Sequence, residues 1–378
     1  MINIRKQMTL IYNKYSQTDQ MLDKSCFQEL EMVKDKILST RNQDFQQAKQ
    51  GKNDEFYTSL EDIELEMIHY IHHFKGKVIY CNCDDPRESN FFRYFYNNFE
   101  SLGLKKLITA CYRSLNADCF DNVISEKAVY LEYSGKRNGN KRSKDEEINT
   151  KQFEGDGDFR SAESIKLLQQ ADIVVTNPPF SLFKEYCAQL IDYKKKFVII
   201  GNMNAVTYKN IFPLIQNNEL WYGPSIRSGD REFRVPSTYP LAASGTRKDE
   251  YGNKYVRVKG VRWFTNLDFP SRHQKLPLVK SYSPINNPRY ANCDAIEVSK
   301  TKDIPFDFEG QMGVPISFLD QYNPDQFEIV GSSRILSRTM SEIAEKGTYS
   351  QGGPRFYLPN GDGTYRRMYE RIIIKKKQ

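Results

Sequence analysis

The sequence predicts an α/β chain: a doubly wound, mostly parallel sheet followed by an α+β region. Three observations carry this. Between residues 78 and 201, short apolar runs alternate with amphipathic stretches at the spacing of βαβ units. From Trp221 onward that alternation gives way to Pro, Gly and short β-rich runs. The chain is 378 residues long and 39% hydrophobic, with 24 Tyr and 23 Phe, enough apolar material for two modest domains. Such a composition excludes a disordered chain. No run reaches the roughly 18 apolar residues of a membrane span, and the first residues lack an apolar signal segment, so the expected location is the cytoplasm.

Residues 1–52 read as a helical, polar extension, with Leu30, Val33 and Ile37 at helical spacing. A helix is expected over Leu60–Phe74, with Ile63, Met67, Tyr70 and Ile71 on one side. Val78–Cys81 is a short apolar strand that ends in Asp84-Asp85-Pro86, and a helix opens near Ser89. Leu104–Cys111 and Ala128–Tyr133 are further strands, and the charged, turn-rich segment Ser134–Thr150 is a surface loop. Helix Ala162–Gln170 then leads to strand Asp172–Thr176, and helix Leu182–Leu190 to strand Phe197–Gly201. Beyond a boundary placed between 215 and 235, Tyr255–Val258, Val261–Phe264 and Phe327–Val330 are β-rich. The resulting division is 1–52, 53–220 and 221–378, with the last 45 residues, ending in Ile372–Gln378 and its three Lys, read as a solvated tail and a polyanion-contacting arm as the alternative.

Charge is divided unevenly. The chain carries 55 Lys and Arg against 48 Asp and Glu, net +7, and residues 221–378 alone hold 25 against 17. All the excess positive charge is therefore C-terminal, much of it Arg interleaved with aromatics. Such a composition suits a polyanion-reading surface as well as a plain solvated face. Seven scattered Cys argue for reduced thiols, and Cys81 and Cys83, expected on one side of a strand, for buried structural ones. His69, His72 and His73 share a helix face but lack a Cys or carboxylate partner at ligand spacing, so they read as surface residues and no metal site is assigned.

The segment with chemical content is Asn177-Pro178-Pro179-Phe180, directly after the apolar strand 173–176, at the end of the strand where ligands bind in such sheets. Two prolines stiffen the loop. The Asn oxygen and the Pro178 carbonyl are acceptors, and Phe180 offers an apolar face. Upstream, Asp84–Phe91 ends the first strand and opens a helix, a turn that could be either a ligand contact or an ordinary helix cap. Glu154–Phe159 (EGDGDF) is a Gly/Asp turn before a helix. No Cys follows a Pro, which disfavours the cysteine-nucleophile route to methylated cytosine carbon.

The strand-end pattern Asn-Pro-Pro-Phe resembles the Asp/Asn/Ser-Pro-Pro-aromatic loop of enzymes that methylate an amino or amide nitrogen with S-adenosylmethionine. Longer blocks make the resemblance specific: VIYCNCDDPRESNF (78–91), GLKKLITACY (103–112), DIVVTNPPFSL (172–182), FVIIGNMN (197–204), WFTN (263–266) and 312–331. From about Asn53 to about Ser333 the chain is similar to the EcoRI-type adenine-specific DNA methyltransferases. That resemblance implies a Rossmann-like catalytic domain binding S-adenosyl-L-methionine over 53–220 and a target-recognition region over 221–378. It implies that Asn177, Pro178, Pro179 and Phe180 form the target-adenine site. It places Tyr57, Thr58, Asp84, Asp85, Asn90, Asp158 and Phe159 at the cofactor, the first pair in a segment that lacks the family's usual following Pro. Base or phosphate contacts are expected among Arg227, Arg231, Arg234 and Arg262. The expected partner is duplex DNA with a short specific sequence; a cognate restriction endonuclease is compatible with this, without a physical complex. The same chemistry on RNA or protein glutamine, and an inactive DNA-binding relative, are the alternatives.

Overall fold

A computed structural model describes residues 57–83, 89–111, 128–135, 151–227, 230–235 and 245–377. The expected N-terminal extension, most of the loop 134–150, and Asp84 and Asp85 lie outside these residues. The chain divides into two compact units: one comprises residues up to Tyr208 together with Ser225–Asp268, the other Lys209–Pro224 together with Phe269–Gln378. These limits differ from the sequence division at 220/221.

In the first unit six short strands come first, and the two at the centre of the parallel part, Val78–Cys81 and Ile173–Thr176, are buried from end to end, as parallel strands covered on both faces must be. The six are β1 (Val78–Cys81), β2 (Lys106–Cys111), β3 (Val129–Tyr133), β4 (Lys151–Gln152), β5 (Ile173–Thr176) and β6 (Lys196–Asn202). A ribbon follows, built of β7 (Asp230–Val235), β8 (Thr246–Lys248) and β9 (Lys254–Lys259), and then β10 (Val261–Thr265). The unit's strands lie in the sheet in the order β4-β3-β2-β1-β5-β6-β10. β1 is parallel to both β2 and β5, and β5 to β6. β3, β4 and β10 are antiparallel to their neighbours. The sheet is therefore mixed, with a parallel centre only, which corrects the expectation of a mostly parallel one. β10 pairs antiparallel with β6, and Gly260, at φ +71°, is the single residue between β9 and β10.

Serines start the helices. Ser59 accepts from Asp62 N before α1 (Leu60–Met67), Ser89 from Phe91 N and Phe92 N before α2 (Asn90–Asn97), and Ser161 from Ser164 N before α3 (Ala162–Gln170). The expected helix 60–74 is present but broken by a 3₁₀ turn at Ile68–Tyr70. α2 buries Phe91, Phe92, Tyr94 and Phe95, and Phe91 meets the edge of Trp263 with ring centroids 6.0 Å apart. α4 (Phe183–Asp192) buries Phe183, Tyr186, Cys187 and Leu190 at helical spacing.

In the second unit, β11 (Ile296–Glu297), β12 (Met312–Pro315), β13 (Phe327–Ser332) and β16 (Arg371–Lys376) form a sheet ordered β11-β12-β16-β13, beside a hairpin of β14 (Tyr357–Pro359) and β15 (Tyr365–Arg367). The C-terminal segment expected to be a solvated tail is thus an interior strand. Ile372, Ile373 and Ile374 are buried, as three consecutive β-branched side chains favour. Below them Glu297, 1% exposed, takes the guanidinium of Arg371 at 2.8 and 3.0 Å, with Tyr290 OH and Ser299 Oγ also donating to it. No described helix is long and apolar enough to cross a membrane.

Candidate active site

β1 sits between β2 and β5, so the connections leaving β1 and β5 diverge and open a crevice at the carboxyl ends of these strands. The Asn-Pro-Pro-Phe loop stands there. Thr176, the last residue of β5, is fully buried, and its Oγ1 accepts from Cys83 N at 3.2 Å, fastening the β1 loop to the β5 loop. Asn177 and Pro179 are half-buried, Pro178 is buried, and Phe180 is half-buried at the start of a 3₁₀ turn leading to α4. Pro179 O receives Leu182 N, so the rigid loop passes directly into a hydrogen-bonded turn.

One of the expected cofactor residues, Thr58, meets the Asn-Pro-Pro-Phe loop, and a second, Asn90, holds Thr58. Asn177 Nδ2 donates to Thr58 Oγ1 at 3.2 Å, and Asn90 Nδ2 donates to Thr58 O at 2.8 Å. Tyr57 N donates to Arg234 O at 2.9 Å in an antiparallel bridge, so the segment before α1 is held on the edge of the ribbon. Asp158 and Phe159 stand before α3. The carboxylate of Asp158 takes Arg160 N, Nε and Nη2 at 2.8, 2.9 and 2.7 Å. That guanidinium, paired side on, holds the Asp158 carboxyl below its ordinary value. With roughly four acceptor positions on a carboxylate, one remains after these three bonds. Phe159 is buried, its ring edge-on to Tyr186 at 5.2 Å and its carbonyl held by Gln189 Nε2 at 3.0 Å.

Sequence reading missed Asn82 and Tyr186. Asn82 is 5% exposed and accepts from Tyr186 OH, tying the end of β1 to α4. The signal for Tyr186 was its place on the buried face of the helix behind the Asn-Pro-Pro-Phe loop. Asn82 carried none, since its partner is 104 residues away. Cys81 ends β1 and is buried, whereas Cys83 is half-buried beyond the strand, so the two do not share a strand face. No described group of three or more His, Cys, Asp or Glu is arranged to hold a metal ion.

The four arginines expected at DNA occupy different settings. Arg227 is exposed. β7 pairs antiparallel with β9, with Val258 opposite Arg231 and Tyr255 opposite Arg234, so Arg231 and Arg234 project to opposite faces of the ribbon. Arg231 lies on the face of buried Phe233, Val235 and Val256, with Nε 3.5 Å from Asp62 Oδ1. Arg234 lies on the other face with Glu232, Arg247, Tyr255 and Arg257. Arg247 pairs bidentately with Glu232 at 2.8 and 2.6 Å and lies over the Tyr255 ring. Arg262 is 3% exposed and donates to Val261 O and Arg227 O at 2.9 and 3.0 Å. The neighbouring WFTN block is structural too: Asn266 takes Phe197 N and donates to Lys195 O, locking β10 to β6.

Comparison with known proteins shows the family of the chain. Residues 44–377 match the model of the family described as adenine-specific methyltransferase EcoRI. The chain belongs to that family. It is 51% identical over 285 residues to the Type II methyltransferase M.EcoRI of Escherichia coli, an alignment covering 75% of this chain and 87% of that protein. It is 39% identical over 340 residues to M.MgeORF184P of Mycoplasma genitalium, covering 88% and 99%, and 36% identical over 348 residues to M.MpnI of Mycoplasma pneumoniae, covering 88% and 98%. Both are Type II methyltransferases by name. No solved structure matches the chain. As a member of the EcoRI adenine-specific methyltransferase family, the protein is an adenine-specific methyltransferase, and its mixed α/β sheet is compatible with that fold.

Proposed function

We propose that the protein transfers a methyl group from S-adenosyl-L-methionine to N6 of an adenine extruded from duplex DNA at a short specific sequence. The observation that carries this is the Asn177–Phe180 loop at the carboxyl end of β5, beside the end of β1, with the Asn177 amide anchored by Thr58. The residues at the crevice fit the cofactor in kind. Asp158 is an ionised acceptor for an exocyclic amine beside the aromatic Phe159, Thr58 is hydrogen-bonded to Asn177, and Asn90 is bonded in turn to Thr58. Bound S-adenosylmethionine supplies an electrophilic methyl group on a sulfonium.

The chain's own residues have to make a poor nucleophile usable. The N6 lone pair of adenine is delocalised into the ring. Asn177 Oδ1 and Pro178 O each accept one N6–H, which turns the lone pair out of conjugation and toward the methyl carbon, an effect of alignment and fixed dipoles rather than of a strong base. Phe180 carries the base on its ring face, and the prolines keep both acceptors in place without reorganisation. As N6 gains the methyl it becomes cationic and gives up one proton through these acceptors to water.

For DNA we assign recognition to residues within 221–378, with exposed Arg227 and the Arg234 face of the ribbon as the polyanion-facing elements, while catalysis uses residues 53–220 together with β10. The Type II relatives favour sequence-specific DNA over RNA or protein glutamine, and a cognate endonuclease would act on the same sequence. The test is tritiated S-adenosylmethionine with unmethylated genomic DNA, followed by sequencing for modified adenines. Label in N6-methyladenine within one recurring motif is expected, lost with Asn177→Ala. Label only in RNA or protein, or in no acceptor, refutes the reading.

A further inference from the structure

Thr58 is a residue the resemblance implies only as a cofactor contact, yet it is the partner of the catalytic amide. An asparagine that must accept an amine proton faces a choice its shape does not make. Its oxygen and its NH₂ differ little in size, and rotation by half a turn about the last side-chain bond exchanges an acceptor for two donors. A donor turned toward the adenine N6–H would repel it. Something must hold the rotamer; a hydroxyl can donate as well as accept, and in this structure Thr58 Oγ1 accepts from Asn177 Nδ2.

The hydroxyl is well placed to choose because it does not move itself. Thr58 is 4% exposed. Its carbonyl is held by Asn90 Nδ2, and the preceding residue's N–H is held by Arg234 O on the ribbon edge. The following residue, Ser59, caps α1. Anchors on α1, α2 and β7 therefore fix a single oxygen opposite the loop that ends β5.

We propose that Thr58 is a positioning residue for methyl transfer: its hydroxyl holds the Asn177 amide by the nitrogen and so reserves Oδ1 as the acceptor for the target amine. The inference rests on the functional reading above. A hydrocarbon of the same shape removes the choice. Thr58→Val leaves the amide able to present either end, and misalignment of this kind slows chemistry about 10- to 100-fold.

The test measures single-turnover methylation of a duplex containing the target site, at saturating S-adenosylmethionine, together with the cofactor Kd and the melting temperature. For Thr58→Val the expected result is a rate down about 10- to 100-fold with the cofactor Kd within about threefold of wild type, and for Thr58→Ser, which restores the hydroxyl, a return to near the wild-type rate. A pure cofactor contact predicts the opposite split, a raised Kd with the rate unchanged once saturated, and that overturns the proposal. So does Thr58→Ser as slow as Thr58→Val. Should Thr58→Val fail to fold, Thr58→Cys takes its place: a thiol is a weak acceptor, so a slow enzyme supports the role and a fast one refutes it. Wild-type protein that methylates no adenine in DNA sinks the functional reading and this proposal together. Active wild type with an equally fast Thr58→Val sinks the proposal alone.

Discussion

Arg371→Leu removes one half of a charge pair buried beneath the sheet of the second unit. Glu297 is 1% exposed and Arg371 7%, and the guanidinium meets the carboxylate side on, with Nη2 to Oε1 at 2.8 Å and Nε to Oε2 at 3.0 Å. Two neutral hydroxyls, of Tyr290 and Ser299, complete the shell. Burial, and after it the Glu297 charge, hold the Tyr290 phenol well above its ordinary range, so it remains a donor at neutral pH. Cutting Arg371 leaves a carboxylate in the interior with only those hydroxyls, at a cost of about 3–5 kcal/mol. Removing both charges, Glu297→Met with Arg371→Leu, leaves Tyr290 OH with only its longer bond to Gly313 O at 3.4 Å and Ser299 Oγ at an exposed position, a cost of about 1 kcal/mol. The double variant is therefore expected to be more stable than Arg371→Leu alone. With two compact units a global melt is not a safe two-state measure, so the assay is native-state hydrogen exchange at the Ile372–Ile374 amides of β16. An Arg371→Leu cost below about 1 kcal/mol, or a double variant worse than the single, would falsify the claim that this pair is desolvated.

Other perturbations separate packing from function. A Cβ at Gly201 would fall 2.7 Å from Cζ of Phe183, the first residue of α4 and close in sequence to the Asn-Pro-Pro-Phe loop. Gly201→Ala should cost about 1–3 kcal/mol and slow methylation, with Phe183→Leu relieving both; native-state hydrogen exchange at the β6 amides and single-turnover rates check this. Glu132 on β3 is held below its ordinary value first by Lys106 and then by Lys151, so its contribution is complete above about pH 4.3 and is lost as pH falls through the lower folded value. The stability gap between wild type and Glu132→Gln in urea should be widest near neutral pH and close in acid; a gap that widens in acid would reverse the assignment. Arg227→Gln, at an exposed site, should weaken DNA binding and lower the salt slope by about one, whereas Arg262→Met, at a buried one, should lower melting temperature more than DNA affinity. Titrations at two salt concentrations beside thermal melts tell them apart.

Local pattern made much of this legible. Helix 162–170 and strand 78–81 end where their caps and apolar runs end, and the Asn-Pro-Pro-Phe segment stands out because its four residues are adjacent and follow an apolar strand. What escaped lay between residues far apart. Val261–Thr265 looks like any β-rich segment, and its place against β6 depends on a ribbon turn that no run of its own residues announces. Arg231 and Arg234 read alike in a basic stretch until pairing sets them on opposite faces. The bond between Thr58 and Asn177 spans 119 positions and that between Glu297 and Arg371 spans 74, and no periodicity reaches so far. The tail expected over Ile372–Gln378 is a strand because three isoleucines prevail over the three lysines that a reading by charge weighs first.

The first compact unit is interrupted: its sheet runs to Asn202 in β6, but β10, which covers that edge, begins only at Val261, and the carbonyl that holds Tyr57 belongs to Arg234. On the ribosome, at roughly 5–20 residues per second, the edge of β6 waits several seconds for its neighbour, a bare strand open to any other extended segment. The anchor on Thr58 is likewise incomplete until the ribbon has emerged. A chain stalled near residue 220 would carry the whole Asn-Pro-Pro-Phe loop and still be inert. Activity thus arrives late in synthesis, when the end of the unit returns to finish its beginning.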